Sequence, residues 1–182
     1  MSRFPTLARA DLSKEAQIIY DQIAESRGHV SGPFKVLLHS PELAGRTGYL
    51  GHYVRFQSIL EPEVRELAIL TVARANDCRF EWGAHHPLAR KAGVRVEAIA
   101  AIAHRRGVGQ LTDQERLVIT FGRELCEKHR VSEATFAAAE AAFGHQGVVE
   151  LIMTLGYYGM IAAVLNAADV QPDPGMPSLP DA

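Results

Sequence analysis

Apolar residues along the chain recur every three to four positions almost throughout, and no stretch keeps the two-residue alternation of a half-buried strand. The pattern predicts an all-α protein. A first helix, capped by Asp11 or Ser13, carries Ala16, Ile19, Tyr20 and Ile23 on one face and ends at Gly28. Val30-Ser31-Gly32-Pro33 is a turn, and Phe34 to His39 a short helix. Ser40-Pro41 opens the next helix, expected to run to about Ser58.

Glu61-Pro62 starts a helix that is apolar or small over three turns, with Arg65, Glu66 and Arg74 as its polar exceptions. Asn76 and Asp77 interrupt it, and a second helix is expected from Cys78 to about Lys91, stopped by Gly93. A short apolar helix spans Val96 to His104. Thr112 and Glu115 form a capping box for a helix to about His129. Ser132 caps another that stops near Gly144, and Gly147 to Ala168 is the last and most apolar. That run is interrupted by Glu150, Thr154, Gly156, Gly159 and Asn166, so it reads as a buried helix rather than a membrane span. Gly156 and Gly159 there allow close approach of a neighbouring helix or of another subunit.

The organisation expected is an N-terminal arm over 1–10, one helical domain over 11–170, and a flexible, proline-rich tail over 171–182. At 182 residues the chain is long enough to bury about two-thirds of its unfolded surface without staples. Its 19 basic and 21 acidic residues are interspersed, leaving no electrostatic footprint for nucleic acid or an anionic membrane. Two cysteines, Cys78 and Cys126, are too few for a disulfide framework, and the first fifteen residues lack the apolar core of a signal peptide. A cytoplasmic location is expected.

The groups capable of chemistry concentrate between Glu61 and Gly93. Cys78, Glu81 and His85 are spaced i, i+3, i+7, which confines them to an arc of roughly 60° on one helix face. Cys78 and His85 lie about 10 Å apart along the axis, with Glu81 within reach of both. A cysteine in the first turn of a helix is expected to have a lowered pKa and raised reactivity. A carboxylate beside an imidazole orients the ring and raises its basicity. A metal reading would use Glu81 and His85, but Glu66, the candidate third ligand, does not stand at a diagnostic spacing; neither metal nor cofactor is expected. His39, His52 and Tyr53 are candidates to line a pocket facing this helix, and His86 points about 100° away from His85. His52, Tyr53 and His86 are retained as substrate-binding candidates.

The stretches FKVLLHSPELA at 34–44, RELAILTVARANDCRFEWGAHHPLARKAG at 65–93 and LTDQER at 111–116 resemble the carboxymuconolactone decarboxylase and alkylhydroperoxidase D (AhpD) superfamily. The peroxidase branch carries a glutamate, a CxxC pair twelve residues on, and a histidine four residues after the second cysteine. Glu66, Cys78 and His85 match these, while Glu81 stands in place of the second cysteine. A disulfide-cycling peroxidase needs that second thiol, and a carboxylate cannot supply it. The decarboxylase branch is similar in having Glu and His four apart, as Glu81 and His85 are. The resemblance therefore implies an AhpD-like multi-helix bundle, acid–base chemistry by Glu66, Glu81 and His85 on a small carboxylated or lactone substrate, and a homo-oligomer, whether dimer, trimer or hexamer. Two alternatives stay open: a thiol peroxidase using Cys78, with Cys126 or an external thiol as reductant, and a non-catalytic small-molecule-binding oligomer.

Overall fold

The helix from Pro62 to Ala75 has almost no outward face: ten of its fourteen residues are buried, including Leu67, Ala68, Ile69 and Leu70 in succession. A helix apolar on all sides must be enclosed, and the rest of the chain encloses this one. The computed structural model describes residues 2–181, all helix and connections, with no strand among them. In chain order the helices are α1 (Lys14–Arg27), α2 (Pro33–Leu37), α3 (Pro41–His52), α4 (Pro62–Ala75), α5 (Arg79–Lys91), α6 (Val96–Ala103), α7 (Asp113–Lys128) and α8 (Glu133–Ala167). Helices α5, α6, α7 and α8 pack directly against α4, and α1 and α3 form a second layer.

Local signals place most of the ends. Ser13, Thr112 and Ser132 accept the backbone N–H three residues on, and Glu115 returns the favour to the Thr112 N–H. Asp77 adopts φ 47° and turns the chain, so that α5 folds back along α4 with Cys78 as its N-cap. Gly144, at φ 66° and ψ 175°, breaks α8 into the two helices expected on either side of it. Helix α8 is long and apolar enough to cross a membrane by composition, but it spends its apolar face, including Leu151, Leu155, Ile161 and Leu165, on the core.

Three expectations need correction. Helix α3 ends at His52 and passes into a single π-helical turn, Tyr53–Gln57, instead of continuing to Ser58. That turn is knotted by a buried carboxylate. Glu150 on α8 accepts from the Tyr53 hydroxyl at 2.9 Å, the Ser58 hydroxyl at 2.6 Å, the Ile59 N–H at 2.7 Å and the Gln146 amide at 2.9 Å. Second, the tail over 171–182 is docked rather than free. Leu179 is buried, Met176 lies over Gly83 of α5, and Arg74 donates to the Pro180 carbonyl at 2.7 Å. The prolines stiffen a strap whose apolar side chains have somewhere to go. Third, of the two partners expected at Gly156 and Gly159 the neighbouring helix is not at close range: among the described residues nothing lies within 4 Å of an added Cβ at Gly156, and at Gly159 it would meet only Val72 at 3.8 Å. The close glycine crossing is at Gly122 of α7, where an added Cβ would lie 2.7 Å from Thr71 of α4.

The N-terminal arm is irregular apart from a 3-10 turn at Arg9–Asp11, and it too is tethered. The Arg3 N–H donates to the Ala168 carbonyl at 2.8 Å, and His39 hydrogen-bonds the Pro5 carbonyl at 3.0 Å. His39 is therefore a packing group.

Candidate active site

The antiparallel return of α5 against α4 brings Glu66 to the helix face that carries Glu81 and His85. His85 lies between the two carboxylates: Nδ1 is 2.8 Å from Glu66 Oε2 and Nε2 is 3.3 Å from Glu81 Oε2. All three side chains are buried, at 7, 4 and 4 % exposure for Glu66, Glu81 and His85. The local i,i+4 pair and the partner from the neighbouring helix thus form one continuous line of acid, imidazole and acid.

Proton bookkeeping on that line is constrained. The Nδ1–Glu66 contact is a hydrogen bond, and a neutral imidazole donates from only one nitrogen, so Nε2, which faces Glu81 and the space beyond it, is the nitrogen left to exchange a proton.

That end faces space. A cavity of about 230 Å³ is lined by Arg55 from the π turn, Phe80, Glu81 and His85 from α5, and Tyr157 and Tyr158 from α8, with the 29–34 loop completing its wall. The Tyr158 ring stands edge-on to His85, centroids 4.9 Å apart. Burial raises the pKa of its hydroxyl well above the ordinary tyrosine range; Arg55 opposes this and Glu81 and Glu66 add to it. Tyr158 is therefore a neutral O–H donor. On its other side the trio reaches a broader groove, where Glu66 and Arg55 share the lining with Glu63 and Lys91. The line runs from the smaller cavity to the broader groove.

Cys78 is left out of this arrangement. It is fully buried, belongs to the core and does not line the cavity. The expected lowering of its pKa does not occur. Burial pushes the thiol up to about 11 and Glu81 adds to the rise, outweighing the Glu81 and Phe80 backbone N–H groups at the helix start. Cys126, half-buried, lines a separate depression with Gly156 and Gly159, and burial pushes its thiol up to about 11 as well.

The three substrate-binding candidates also fall elsewhere. His52 packs on Phe56 at 5.2 Å, and Tyr53 is committed to Glu150 in the wall of another cavity. His86 sits 6.0 Å from Trp82, where burial lowers its pKa, assisted by Arg90. The cavity residues that the sequence did not mark are Arg55, Tyr157 and Tyr158. The tyrosines gave a signal only as large groups beside Gly156 and Gly159, and Arg55 gave none. Among the described residues, no group of three or more His, Cys, Asp or Glu is placed to hold a metal ion.

With this geometry in place, the comparison with known proteins is specific. The segment 41–124 matches the model of the carboxymuconolactone decarboxylase family. The likeness to that family is confined to this segment, somewhat under half of the chain. The family segment runs from the start of α3 into α7 and contains Glu66, Cys78, Glu81 and His85, whereas Tyr157 and Tyr158 lie beyond it. No curated protein matches the sequence.

Among solved structures, the fold is that of an AhpD core, described as an uncharacterized peroxidase-related protein from Ralstonia eutropha. The TM-score is 0.79 at 20% identity, covering 95% of this chain and 93% of that one. An uncharacterized peroxidase-related protein from Silicibacter gives 0.77 at 19% identity, covering 96% and 93%. A debrominase in complex with 2,3,4-tribromopyrrole gives 0.73 at 15% identity, covering 96% and 95%. At these identities the likeness establishes the AhpD-like fold alone.

Proposed function

We propose that the protein is an acid–base enzyme of the decarboxylase-like kind, acting on a small carboxylated or lactone substrate held in the cavity beside His85. The observation that carries this reading is the position of His85 between Glu66 and Glu81, with only the Glu81 end facing the cavity. In a decarboxylation the C–C bond to the carboxylate breaks, carbon dioxide leaves, and the electron pair passes into a conjugated carbonyl of the substrate. The carbon that lost carbon dioxide then takes one proton from the His85–Glu81 contact. Glu66 holds the ring in orientation and connects Nδ1 to the outer groove, through which the proton is replaced from water. The buried Tyr158 hydroxyl is suited to donate to developing oxyanion charge. The match of the segment to the family model and the small ring bound by the debrominase neighbour support a substrate of this size.

The thiol-peroxidase alternative has in its favour the peroxidase-related neighbours. Against it stand the burial of Cys78, its raised pKa, and the carboxylate in place of a resolving thiol. The test is turnover of carboxymuconolactone by wild type and by His85→Ala. The variant is expected to lose at least about a hundredfold in rate. Unchanged turnover would remove His85 from the mechanism, and an inactive wild type would reject this substrate.

A further inference from the structure

Arg55 occupies an unusual position for its charge. It lines both the cavity and the outer groove, lies 5.2 Å from the Phe56 ring centroid, and among the described residues forms no hydrogen bond or ion pair. Among the described residues, other arginines near the core spend their guanidinium groups on the protein: Arg74 on Pro180 and Asp77, Arg95 on Glu115, Arg105 on Glu127, and Arg123 on two backbone carbonyls. The backbone beneath Arg55 is also unusual. An isolated π turn is a rare insertion that clusters at functional sites, and this one is fixed from below by the four donors converging on Glu150. The turn sends Tyr53 to Glu150, Val54 to the core and Arg55 to the cavity wall.

Electrostatics give that placement a purpose. Two carboxylates, Glu66 and Glu81, flank His85, so an anion seated beside them gains from a nearby cation, and Arg55 stands on the cavity wall. Beside the polar His29 and Ser31 at one edge, most of the remaining lining, with Phe34, Phe80, Tyr157, Tyr158 and Ile161, is aromatic or apolar and favours a flat hydrocarbon body. At the roughly 30 Å³ that a water molecule occupies in the liquid, the cavity volume corresponds to about eight water-sized groups.

We propose that Arg55 is the anion anchor of this cavity, binding the carboxylate of a small, flat, unsaturated or aromatic acid whose ring then lies against His85 and Glu81. This rests on the acid–base reading of the same site and names how it selects a substrate. Arginine suits the role because its planar fork meets both carboxylate oxygens while the rest of the molecule stacks on the tyrosines.

The experiment is calorimetric titration of the full-length protein near neutral pH with benzoate and with benzamide, which share a shape and differ in charge. Wild type is expected to prefer benzoate by roughly 10- to 150-fold, the range for hydrogen bonds to a charged group. Arg55→Gln should reduce the preference to within about threefold while leaving benzamide affinity unchanged, which also shows the cavity intact. His85→Ala should keep the benzoate preference. Equal affinities in wild type, a preference that survives Arg55→Gln, loss of preference in His85→Ala alone, or no saturation by benzoate at millimolar concentration would each overturn the anchor. Failure of the acid–base reading would appear separately, as unimpaired turnover by His85→Ala, since the titration involves no turnover.

Discussion

Cys78 provides the sharpest separation between thiol and acid–base chemistry, and its behaviour follows from its surroundings. With the thiol pushed from 9.0 up to about 11, the thiolate fraction at pH 7 falls from about one in a hundred to about one in ten thousand. The more basic thiolate is intrinsically the better nucleophile. With a Brønsted coefficient of about 0.4–0.5 over two pH units it recovers roughly six- to tenfold. Ionisation alone therefore slows Cys78 by roughly ten- to fifteenfold relative to an ordinary thiol, and its complete burial adds the cost of opening the core. The assay is the rate of reaction with a chromogenic aromatic disulfide, in a Cys126→Ser background, for native and denatured protein. The native thiol should react more slowly by more than about tenfold, with a rate rising about tenfold per pH unit from pH 7 to 10 and no plateau. A native rate at or above the denatured one, or a plateau below about pH 8, would refute the argument.

Two further predictions concern the scaffold. Gly122→Ala places a Cβ against Thr71 and Leu155 and should cost about 1–3 kcal/mol, lowering Tm by about 2–4 °C per kcal/mol in a chain of this size. Gly159→Ala, which meets only Val72 at ordinary contact distance, should be neutral or stabilising by up to about 1 kcal/mol through helix propensity; thermal melts of the pair that show equal losses would contradict the assigned crossing. Burial acts to raise the Glu150 carboxyl, but hydrogen bonds from Ser58, Gln146, the Ile59 N–H and Tyr53 prevail and hold it below its usual 4.5. A depressed carboxyl stabilises the fold above its unfolded pKa and loses that contribution as pH falls through the lower, folded value. Wild type should therefore lose Tm steeply below about pH 4.5, while Glu150→Gln should be less stable at neutral pH and show a flatter acid limb. Parallel acid limbs would count against the knot.

What the sequence made legible, and what it hid, divides by the range of the interactions involved. Glu81 and His85 were legible because four residues on a helix fix their separation, whatever else the chain does. Glu66 was placed with them by resemblance, and its contact with Nδ1 depends on the turn at Asn76-Asp77 folding α5 back on α4. The Cys78 environment was misjudged for a complementary reason: the helix terminus is a local feature, whereas the burial that overrides it comes from many distant residues. Arg55 was invisible because helical periodicity gives no warning of a π turn, whose cause is a carboxylate almost a hundred residues away on α8. Proline content suggested a loose tail, but Leu179 and Met176 are apolar enough to hold it against α4 and α5.

These distinctions converge on which buried group handles the proton. The direct measurement is carboxymuconolactone turnover by Glu81→Gln and Cys78→Ala, with folding of both variants verified by their melts. If the His85–Glu81 contact delivers the proton, Glu81→Gln should lose about 10²- to 10⁴-fold in kcat, while Cys78→Ala should stay within about threefold of wild type, since its thiol neither lines the cavity nor ionises at working pH. The reverse pattern, an active Glu81→Gln beside an inactive but folded Cys78→Ala, would contradict the account.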